Sequence, residues 1–154
     1  MNYKLLLKMS KSLLENEPNN LSLLSNASAF LNEHIPNINW VGFYLFDGTN
    51  LTLGPFQGKV ACNIINPNKG IVGQSYHLKK TLVIPDVRLE DNHIYCDPNS
   101  LSEVVIPIIN NNNVWGVLDV DAPIVNRFDN DLVGFLHQFI KVLTYHIDFN
   151  KSLI

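Results

Sequence analysis

The stretch SEVVIPIINNNNVWGVLDVDAP, residues 102–123, carries the pattern that decides the fold. It contains two runs rich in β-branched residues, and the asparagines at 110–113 separate them. Two such runs around a short polar turn are typical of adjacent antiparallel strands. The stretch therefore predicts a β-hairpin whose second strand ends in the carboxylate-bearing sequence DVDAP.

Further strands are predicted upstream of this hairpin. INWVGFYLF (38–46) and LTLGPFQ (51–57) flank the turn sequence DGTN, which indicates another hairpin. KVACNII (59–65) predicts a third short strand. TLVIPDV (81–87) predicts a strand that ends at Pro85, because proline cannot donate to a sheet ladder. The sheet should therefore be mostly antiparallel.

The N-terminal part of the chain has the periodicity of helices. Residues 3–14 and 21–34 each space apolar side chains along one helix face. Pro18 and Asn19, with Asn20, supply start signals for the second helix. The apolar faces expected are Leu6, Met9 and Leu13 in the first helix, and Leu21, Leu24, Ala27 and Leu31 in the second.

Two more helices complete the predicted fold. GIVGQSYHLKK (70–80) is consistent with a short helix, and DNDLVGFLHQFIKVLTYHI (129–147) with an amphipathic helix capped by Asp129 or Asn130. Helices, then mostly antiparallel strands, then a closing helix indicate the α+β class. No repeat or linker marks a second domain, so a single domain over residues 1–154 is expected.

Composition limits the classes of function. Of 154 residues, 46% are hydrophobic and 16% are charged, as in a globular domain. The net charge of −3, from 11 Lys and Arg against 14 Asp and Glu, argues against a nucleic-acid partner. No apolar run has the length of a secretory signal or a bilayer span, so a cytoplasmic protein with no membrane partner is expected.

The two cysteines, Cys62 and Cys96, allow more than one interpretation. In a reducing compartment both are expected as thiols, so a disulfide between them would be transient and part of a reaction. A free cysteine is commonly a small buried hydrophobe, but Cys96 lies in the turn-forming sequence HIYCDPNS, where solvent or ligand can reach it. Cys62 falls in the predicted strand 59–65, which favours a structural role. Without a paired CxxC pattern or clustered histidines, no metal site is predicted.

Carboxylates and aromatic side chains indicate a candidate pocket. Asp119 and Asp121 are two residues apart on one strand and so share a face, which Glu103 on the neighbouring strand can share as well. These carboxylates either lie at a solvent-facing strand end or converge as a group of three. If they converge, the pKa of at least one carboxyl rises and the cluster attracts an ammonium group. Trp40 and Tyr44 also share a strand face, and belong either to the core or to a pocket wall.

Several segments, in order and spacing, resemble one family. They are NWVGFYL, LGPFQGKVAC, GIVGQSY, IPDV, HIYCDPNSLSEVVIPI and GVLDVDAP, within about residues 36 to 123. This part of the chain is similar to the free methionine-(R)-sulfoxide reductases, which have the GAF fold. The resemblance implies a GAF-like α+β domain, with helices packed on one side of the sheet and a ligand pocket on the other.

The resemblance also implies a reaction, the reduction of free L-methionine (R)-S-oxide to L-methionine. Cys96 matches the family's nucleophile and would become a sulfenic acid as methionine leaves. Cys62 matches a resolving cysteine, which would form a disulfide with Cys96 for thioredoxin or a similar dithiol to reduce. No metal or organic cofactor is implied.

Roles for the other candidate residues follow from the same resemblance. Glu103 matches an acid near the sulfoxide oxygen, and Asp119 and Asp121 match residues that hold the substrate ammonium and assist protonation. Trp40 and Tyr44 match the aromatic wall around the methyl sulfoxide. A requirement for a free ammonium would explain the refusal of peptide-linked methionine.

One position departs from the family's pattern. Many members carry a third cysteine in a G-[IV]-C-G element, where this chain has Val72. The chain should therefore recycle through Cys62 and Cys96 alone, or be a weaker or divergent member. The competing hypotheses are a non-catalytic GAF module that binds a small ligand for regulation, and a structural domain with two buried thiols. Dimers are common among GAF domains, but the helix sequences do not indicate whether this chain is a monomer or a homodimer.

Overall fold

An antiparallel sheet organises the computed structural model, which describes residues 1–94 and 96–154. Within these residues the elements are α1 (Tyr3–Leu14), α2 (Asn20–His34), β1 (Trp40–Phe46), β2 (Leu51–Gly58), β3 (Ile64–Ile65), α3 (Gly70–Leu78), β4 (Leu82–Ile84), β5 (Ser102–Asn110), β6 (Asn113–Ala122) and α4 (Asn130–His146). The strand order is β3-β2-β1-β6-β5-β4, with antiparallel pairing throughout. This is the predicted α+β class.

The hairpin predicted at 102–123 is confirmed. β5 and β6 pair along their length and end with Asn110 opposite Asn113. Asn111 and Asn112 make the turn, with φ of 51° and 66°. Two consecutive positive φ values are typical of a type I′ turn, whose twist matches that of the strands and which asparagine tolerates.

The two faces of the sheet are covered differently. On one face, α1, α2 and α4 lie over an apolar core that includes Val41 and Phe43 of β1. On the other face, Trp40 and Tyr44 of the same strand join a smaller apolar cluster that includes residues of α3. Alternation along β1 divides these side chains as predicted. We call the two sides the helix face and the pocket face.

The helix bounds agree with prediction, but some predicted inward positions are wrong. Met9 and Leu13 of α1 are each 39% exposed, and Ser10 is buried instead. A small residue at the inward position lets α1 lie close to its neighbouring helices, whereas Met9 and Leu13 lie outside that contact. In α2, Leu21 is 36% exposed because the buried Asn20 takes the inward position of the first turn.

Helix starts and strand ends follow the expected local chemistry. The Asn19 side chain accepts a hydrogen bond from the backbone N–H of Ser22 at 2.9 Å, and Asp129 caps α4 by accepting from Leu132 at the same distance. β4 ends immediately before Pro85, as predicted. In the described part of the chain, the helices all lack the combination of length and apolarity needed to cross a bilayer.

The strand predicted at 59–65 is wrong over most of its length. β3 is confined to Ile64–Ile65, and Cys62 lies in the irregular segment before it. β2 ends at Gly58, where φ is +136° and a Cβ would come within 2.6 Å of Cδ1 of Trp40. The chain leaves the sheet at this glycine, so strand alternation does not set the direction of the Cys62 side chain.

Candidate active site

Glu103, Asp119 and Asp121 form a carboxylate cluster on the pocket face. The register of β5 and β6 sets Glu103 opposite Asp121, and Asp119 lies two residues away on the same face of β6. One oxygen of each residue lies within 4.8 Å of the other two. Glu103 and Asp119 are buried and Asp121 is half-buried. The structure therefore brings the three carboxylates together, and they do not form a solvent-facing strand end.

Burial and mutual repulsion keep protons on this cluster. Burial, with the nearby charge of Asp121, raises the pKa of Glu103 to about 8. Burial also raises the pKa of Asp119 well above its ordinary value, with Glu103 as the next cause. The pKa of Asp121 is raised by burial and then by the charges of Asp119 and Asp97. A proton donor is therefore present at neutral pH.

The same three carboxylates are the residues that could hold a cation. Oδ1 of Asp119 is buried with no hydrogen-bond partner among the described residues. An ammonium group offers three N–H donors, and hard metal ions also prefer carboxylate oxygens. Since burying an unpaired carboxylate costs free energy, a positive group bound here would stabilise the ionised cluster.

Trp40 and Tyr44 form an aromatic wall beside the carboxylates. Their rings stack with centroids 5.9 Å apart. The Trp40 indole donates to the carbonyl of Lys59 at 3.2 Å, and the Tyr44 hydroxyl donates to the carbonyl of Cys62 at 2.9 Å. Both rings line the pocket, whereas Phe46, of the same parity on β1, stacks on Tyr76. The wall thus also holds the irregular segment that carries Cys62.

Cys62 and Cys96 are joined by a disulfide. Their Cα atoms are 5.6 Å apart, within the usual range for such a bond. Cys96 lines the pocket, while Cys62 packs against the apolar cluster behind it. Their separation of 34 residues gave no indication of this contact. Both cysteines are half-buried, and their disulfide lies at the edge of the pocket. They are therefore not two inert thiols in the core.

Polar side chains, to which the sequence pattern alone assigns no role in the site, hold the loop around Cys96. Oδ2 of Asp97 accepts from the Asn39 amide at 2.9 Å, and the same amide donates to Oγ of Ser100 at 3.0 Å. Nε2 of His93 lies 3.4 Å from Oε1 of Glu103. The available signals were the nearness of His93 and Asp97 to Cys96 and of Asn39 to Trp40, but each residue alone is typical of a polar loop.

The opposite rim of the pocket is apolar. It consists mainly of Val60, Ala61, Ile65, Ile71, Val72 and Ile94. Gly70 has φ of +68°, and a Cβ there would come within 2.7 Å of Ile94. Val72 lies in the pocket lining, so the departure from the family's G-[IV]-C-G element puts a valine side chain where a third thiol would be.

Comparisons with known proteins agree with this geometry. The GAF domain family matches residues 22–146. Free methionine-R-sulfoxide reductase of Escherichia coli (strain K12) is 40% identical over 132 residues, which are 86% of this chain and 80% of that protein. The protein of the same name from Saccharomyces cerevisiae is 38% identical over 157 residues, covering 97% of this chain and 84% of its own.

A solved structure gives the same result in three dimensions. The structure of fRMsr of Staphylococcus aureus in complex with substrate has a TM-score of 0.90 and 44% sequence identity, covering 95% of each chain. The similarity therefore extends over nearly the whole of both chains. The chain belongs to the GAF-domain family and, within it, to the free methionine-R-sulfoxide reductases.

Proposed function

We propose that the protein is a thiol-dependent reductase that converts free L-methionine (R)-S-oxide to L-methionine. The disulfide between Cys62 and Cys96 carries this proposal, because it links a pocket cysteine to a second thiol that can complete a redox cycle. Three carboxylates in the same pocket favour a ligand with a positive group. The names of the E. coli and yeast relatives, and the substrate complex of the S. aureus relative, favour methionine sulfoxide as that ligand.

In the first step, the Cys96 thiolate attacks the sulfoxide sulfur. The oxygen passes to Cys96, so that a thiol and a sulfoxide become a sulfenic acid and a thioether. The sulfur of Cys96 is oxidised by two electrons, the substrate sulfur is reduced by two, and methionine leaves. Trp40 and Tyr44 hold the methyl sulfoxide against the attacking sulfur.

Glu103 is the acid of this step. With a pKa raised to about 8 by burial, its carboxyl keeps a proton at neutral pH. Donation of that proton to the sulfoxide oxygen stabilises the charge that develops on oxygen as the thiolate attacks. Asp119 and Asp121 hold the ammonium group and assist protonation.

The ammonium contact accounts for a preference for the free amino acid. In a peptide, the nitrogen of methionine is an uncharged amide and cannot form an ion pair with Asp119 or Asp121. Binding it would leave buried carboxyl groups without their partner, which costs more than the loss of one exposed contact. Protein-bound methionine sulfoxide is therefore a poor substrate.

Cys62 resolves the sulfenic acid. Its thiol attacks the Cys96 sulfur, the hydroxyl leaves as water, and the disulfide forms. Thioredoxin or a similar dithiol then reduces this bond by exchange and becomes a disulfide itself. The reaction therefore belongs in a reducing compartment, for which we propose the cytoplasm. With valine at position 72, one disulfide carries the whole cycle.

Every electron in this cycle comes from a thiol, so we propose that neither a metal nor an organic cofactor takes part. Turnover should survive exhaustive treatment with a chelator and dialysis. Loss of activity that added metal restores would assign the carboxylate cluster to a metal instead. A homodimer remains a prediction, which sedimentation analysis of the reduced and oxidised protein would measure.

The test of the proposed function is epimer-selective turnover. Racemic free methionine sulfoxide is incubated with the protein and either dithiothreitol or thioredoxin with its reductase, and the epimers and methionine are separated chromatographically. We expect loss of the R epimer alone, with one methionine formed for each sulfoxide consumed. N-acetylmethionine sulfoxide, which lacks the ammonium group, is the matched control and should persist.

The same assay separates the competing function. Saturable binding of the free sulfoxide with no methionine formed, whatever the reductant, would identify a non-catalytic GAF module. Thiol titration before and after one addition of substrate gives an independent readout. A reductase loses two thiols for each molecule of methionine formed, whereas a binding module loses none.

A further inference from the structure

The side chain of His93 is buried at the pocket, and the proposed mechanism does not use it. Its Nε2 lies 3.4 Å from Oε1 of Glu103, and the two side chains are 5% and 6% exposed. It also precedes Cys96 by three residues in the same loop. The contact therefore joins the loop of the proposed nucleophile to the proposed acid on β5.

The charge of His93 decides whether Glu103 can be an acid. An imidazolium at 3.4 Å would favour the carboxylate form and remove the proton at neutral pH. Burial, however, lowers the pKa of His93 and outweighs the opposing effect of Glu90. Burial likewise raises the pKa of Glu103. Both partners are consequently neutral near pH 7.

The acidic and phenolic groups around this pair come from three directions. They are Tyr44 on β1, Asp119 and Asp121 on β6, and Glu90 and Asp97 in the loop segments. Asp121 favours a proton on Glu103, whereas the hydrogen bond from Asp119 lowers the pKa of Glu103. The charge of Glu90 favours a proton on His93. Among the described residues, burial is the largest effect on the pKa of His93 and keeps the imidazole neutral. A cation at this position would change the balance.

A neutral pair has a definite hydrogen-bond requirement. A neutral imidazole carries one N–H, and a protonated carboxyl has one carbonyl oxygen and one hydroxyl. Oε1 of Glu103 has no hydrogen-bond partner among the described residues, so it is open to the nearby Nε2–H. If Nε2–H donates to Oε1, the proton of Glu103 resides on Oε2. Once Glu103 has given up its proton, the same N–H donates to a carboxylate, and a hydrogen bond to a charged group is stronger.

We propose that His93 is a positioning residue for this reaction, which donates from Nε2 to Oε1 of Glu103 and so directs the Oε2 hydroxyl at the sulfoxide oxygen. This inference rests on the proposed function. In this role His93 does not contact the substrate, and it neither transfers electrons nor gives up a proton during the reaction. The N–H stays on His93 throughout and strengthens its contact as Glu103 becomes a carboxylate.

Two substitutions of His93, with a control on α3, test this role. His93→Gln keeps an N–H donor at a similar reach, and its kcat should stay within about threefold of wild type. His93→Leu keeps bulk without a donor, and kcat should fall about 10- to 100-fold with little change in KM, since a misdirected acid slows the reaction and not binding. His77→Ala, at an exposed position on α3, is the control.

His93→Lys supplies a fixed cation and gives a readout that loss of packing would not move. The cation stabilises the Glu103 carboxylate, so the alkaline limb of the kcat profile should shift to lower pH. In His93→Gln that limb should stay in place. Infrared difference spectra of the reduced variants, with Glu103→Gln to assign the signal, should show the protonated carboxyl lost at neutral pH in His93→Lys.

The outcomes distinguish this inference from the proposed function. If wild type leaves the R-sulfoxide untouched, the proposed function fails and His93 is not at issue. If wild type is active and His93→Leu, folded by its thermal midpoint, keeps full kcat, the positioning role is wrong. It is equally wrong if His93→Gln is as slow as His93→Leu, or if His93→Lys leaves both the alkaline limb and the infrared signal unchanged.

Discussion

The two faces of the sheet use the same strands in opposite ways. On the helix face, β1 contributes Val41 and Phe43, which have no exposed surface, to a large apolar core. On the pocket face, Trp40 and Tyr44 of the same strand lie beside the carboxylate cluster. β6 shows the same contrast, because Leu118 and Val120 join the helix-side core while Asp119 and Asp121 face the pocket.

The contrast separates stability from chemistry. Apolar area on the helix face stabilises the fold by roughly 25 cal/mol per Å² removed from water. On the pocket face, burial of carboxyl groups opposes folding unless a proton or a bound ammonium offsets it. A substitution should therefore change activity or stability according to the face it touches.

The largest expected effect is on the pocket face, at Cys96. Cys96→Ser should abolish methionine formation because serine is not a nucleophile toward the sulfoxide sulfur under these conditions. The unfolding free energy, compared with wild type in excess dithiothreitol so that both lack the disulfide, should hardly change. A turnover assay measures the activity, and denaturant unfolding measures the unfolding free energy. A variant that keeps turnover would remove Cys96 from the reaction.

Cys62→Ser is the matched variant at the other sulfur. It should still complete one stoichiometric turnover, because Cys96 is intact, but thioredoxin-linked recycling should be impaired. Quenched single-turnover assays measure the first, and steady-state NADPH consumption with thioredoxin reductase measures the second. Normal recycling with thioredoxin would show that Cys62 is not the resolving cysteine.

A truncation on the helix face should have the converse effect. Phe139 of α4 has no exposed surface and stacks near Phe30, with ring centroids 5.9 Å apart. Phe139→Ala should lower the unfolding free energy by about 3–5 kcal/mol, through lost transfer free energy and the cavity left behind. At temperatures where the variant is folded, kcat should equal that of wild type. A large loss of kcat in the folded variant would contradict the separation of the two faces.

The dependence of stability on pH gives a further test on the pocket face. The pKa of Glu103 rises from 4.5 to about 8 on folding. The folded protein therefore binds more protons than the unfolded chain between these values. The stability from the protonated carboxyl is full below pH 4.5 and is lost as the pH rises through about 8. Urea unfolding across this range should show a decline that Glu103→Gln makes shallower.

Asp47 provides a control of opposite sign. This exposed turn residue accepts hydrogen bonds from the backbone N–H groups of Thr49 and Asn50, which hold its pKa below the ordinary value. Its stabilisation is present above pH 3.8 and is lost as the pH falls. Asp47→Asn should leave the decline toward pH 8 unchanged. An equal change in slope from both substitutions would mean that burial of Glu103 is not its cause.

The smallest expected effect is at a helix cap. Asn19 accepts a hydrogen bond from the backbone N–H of Ser22 at 2.9 Å. Asn19→Ala should lower the unfolding free energy by about 1 kcal/mol, because one N–H of the first turn of α2 loses its partner. Neither kcat nor KM should change. A change in KM would show that α2 transmits its position to the pocket face.

The parts of the fold that sequence predicts are those governed by neighbours in the chain. Alternation assigned Trp40 and Tyr44 to one face and Val41 and Phe43 to the other, and the structure confirms this. The asparagine turn was also predictable, since it needs only residues that tolerate positive φ. Strand parity likewise placed Asp119 and Asp121 on one face, but it left open whether they face solvent or converge with Glu103.

The path of the irregular segments was not predictable in the same way. The sequence 59–65 has strand composition, but the chain leaves the sheet at Gly58 because the Trp40 ring occupies the adjacent space. The contact of His93 with Glu103 depends likewise on how a loop crosses the pocket. Tertiary contacts set both outcomes, and they correct the strand assignment of Cys62.

The disulfide has a further consequence for the chain as a polymer. Cys62 and Cys96 are 34 residues apart. A disulfide that closes a loop of that length lowers the conformational entropy of the unfolded chain, which in the entropic treatment stabilises the folded state by about 4 kcal/mol. Each turnover of the proposed cycle thus alternates between a cross-linked chain and an open one. When the dithiol donor runs out, molecules should accumulate in the cross-linked form, which unfolds less readily. Survival of the protein against proteases would then report the supply of reducing equivalents.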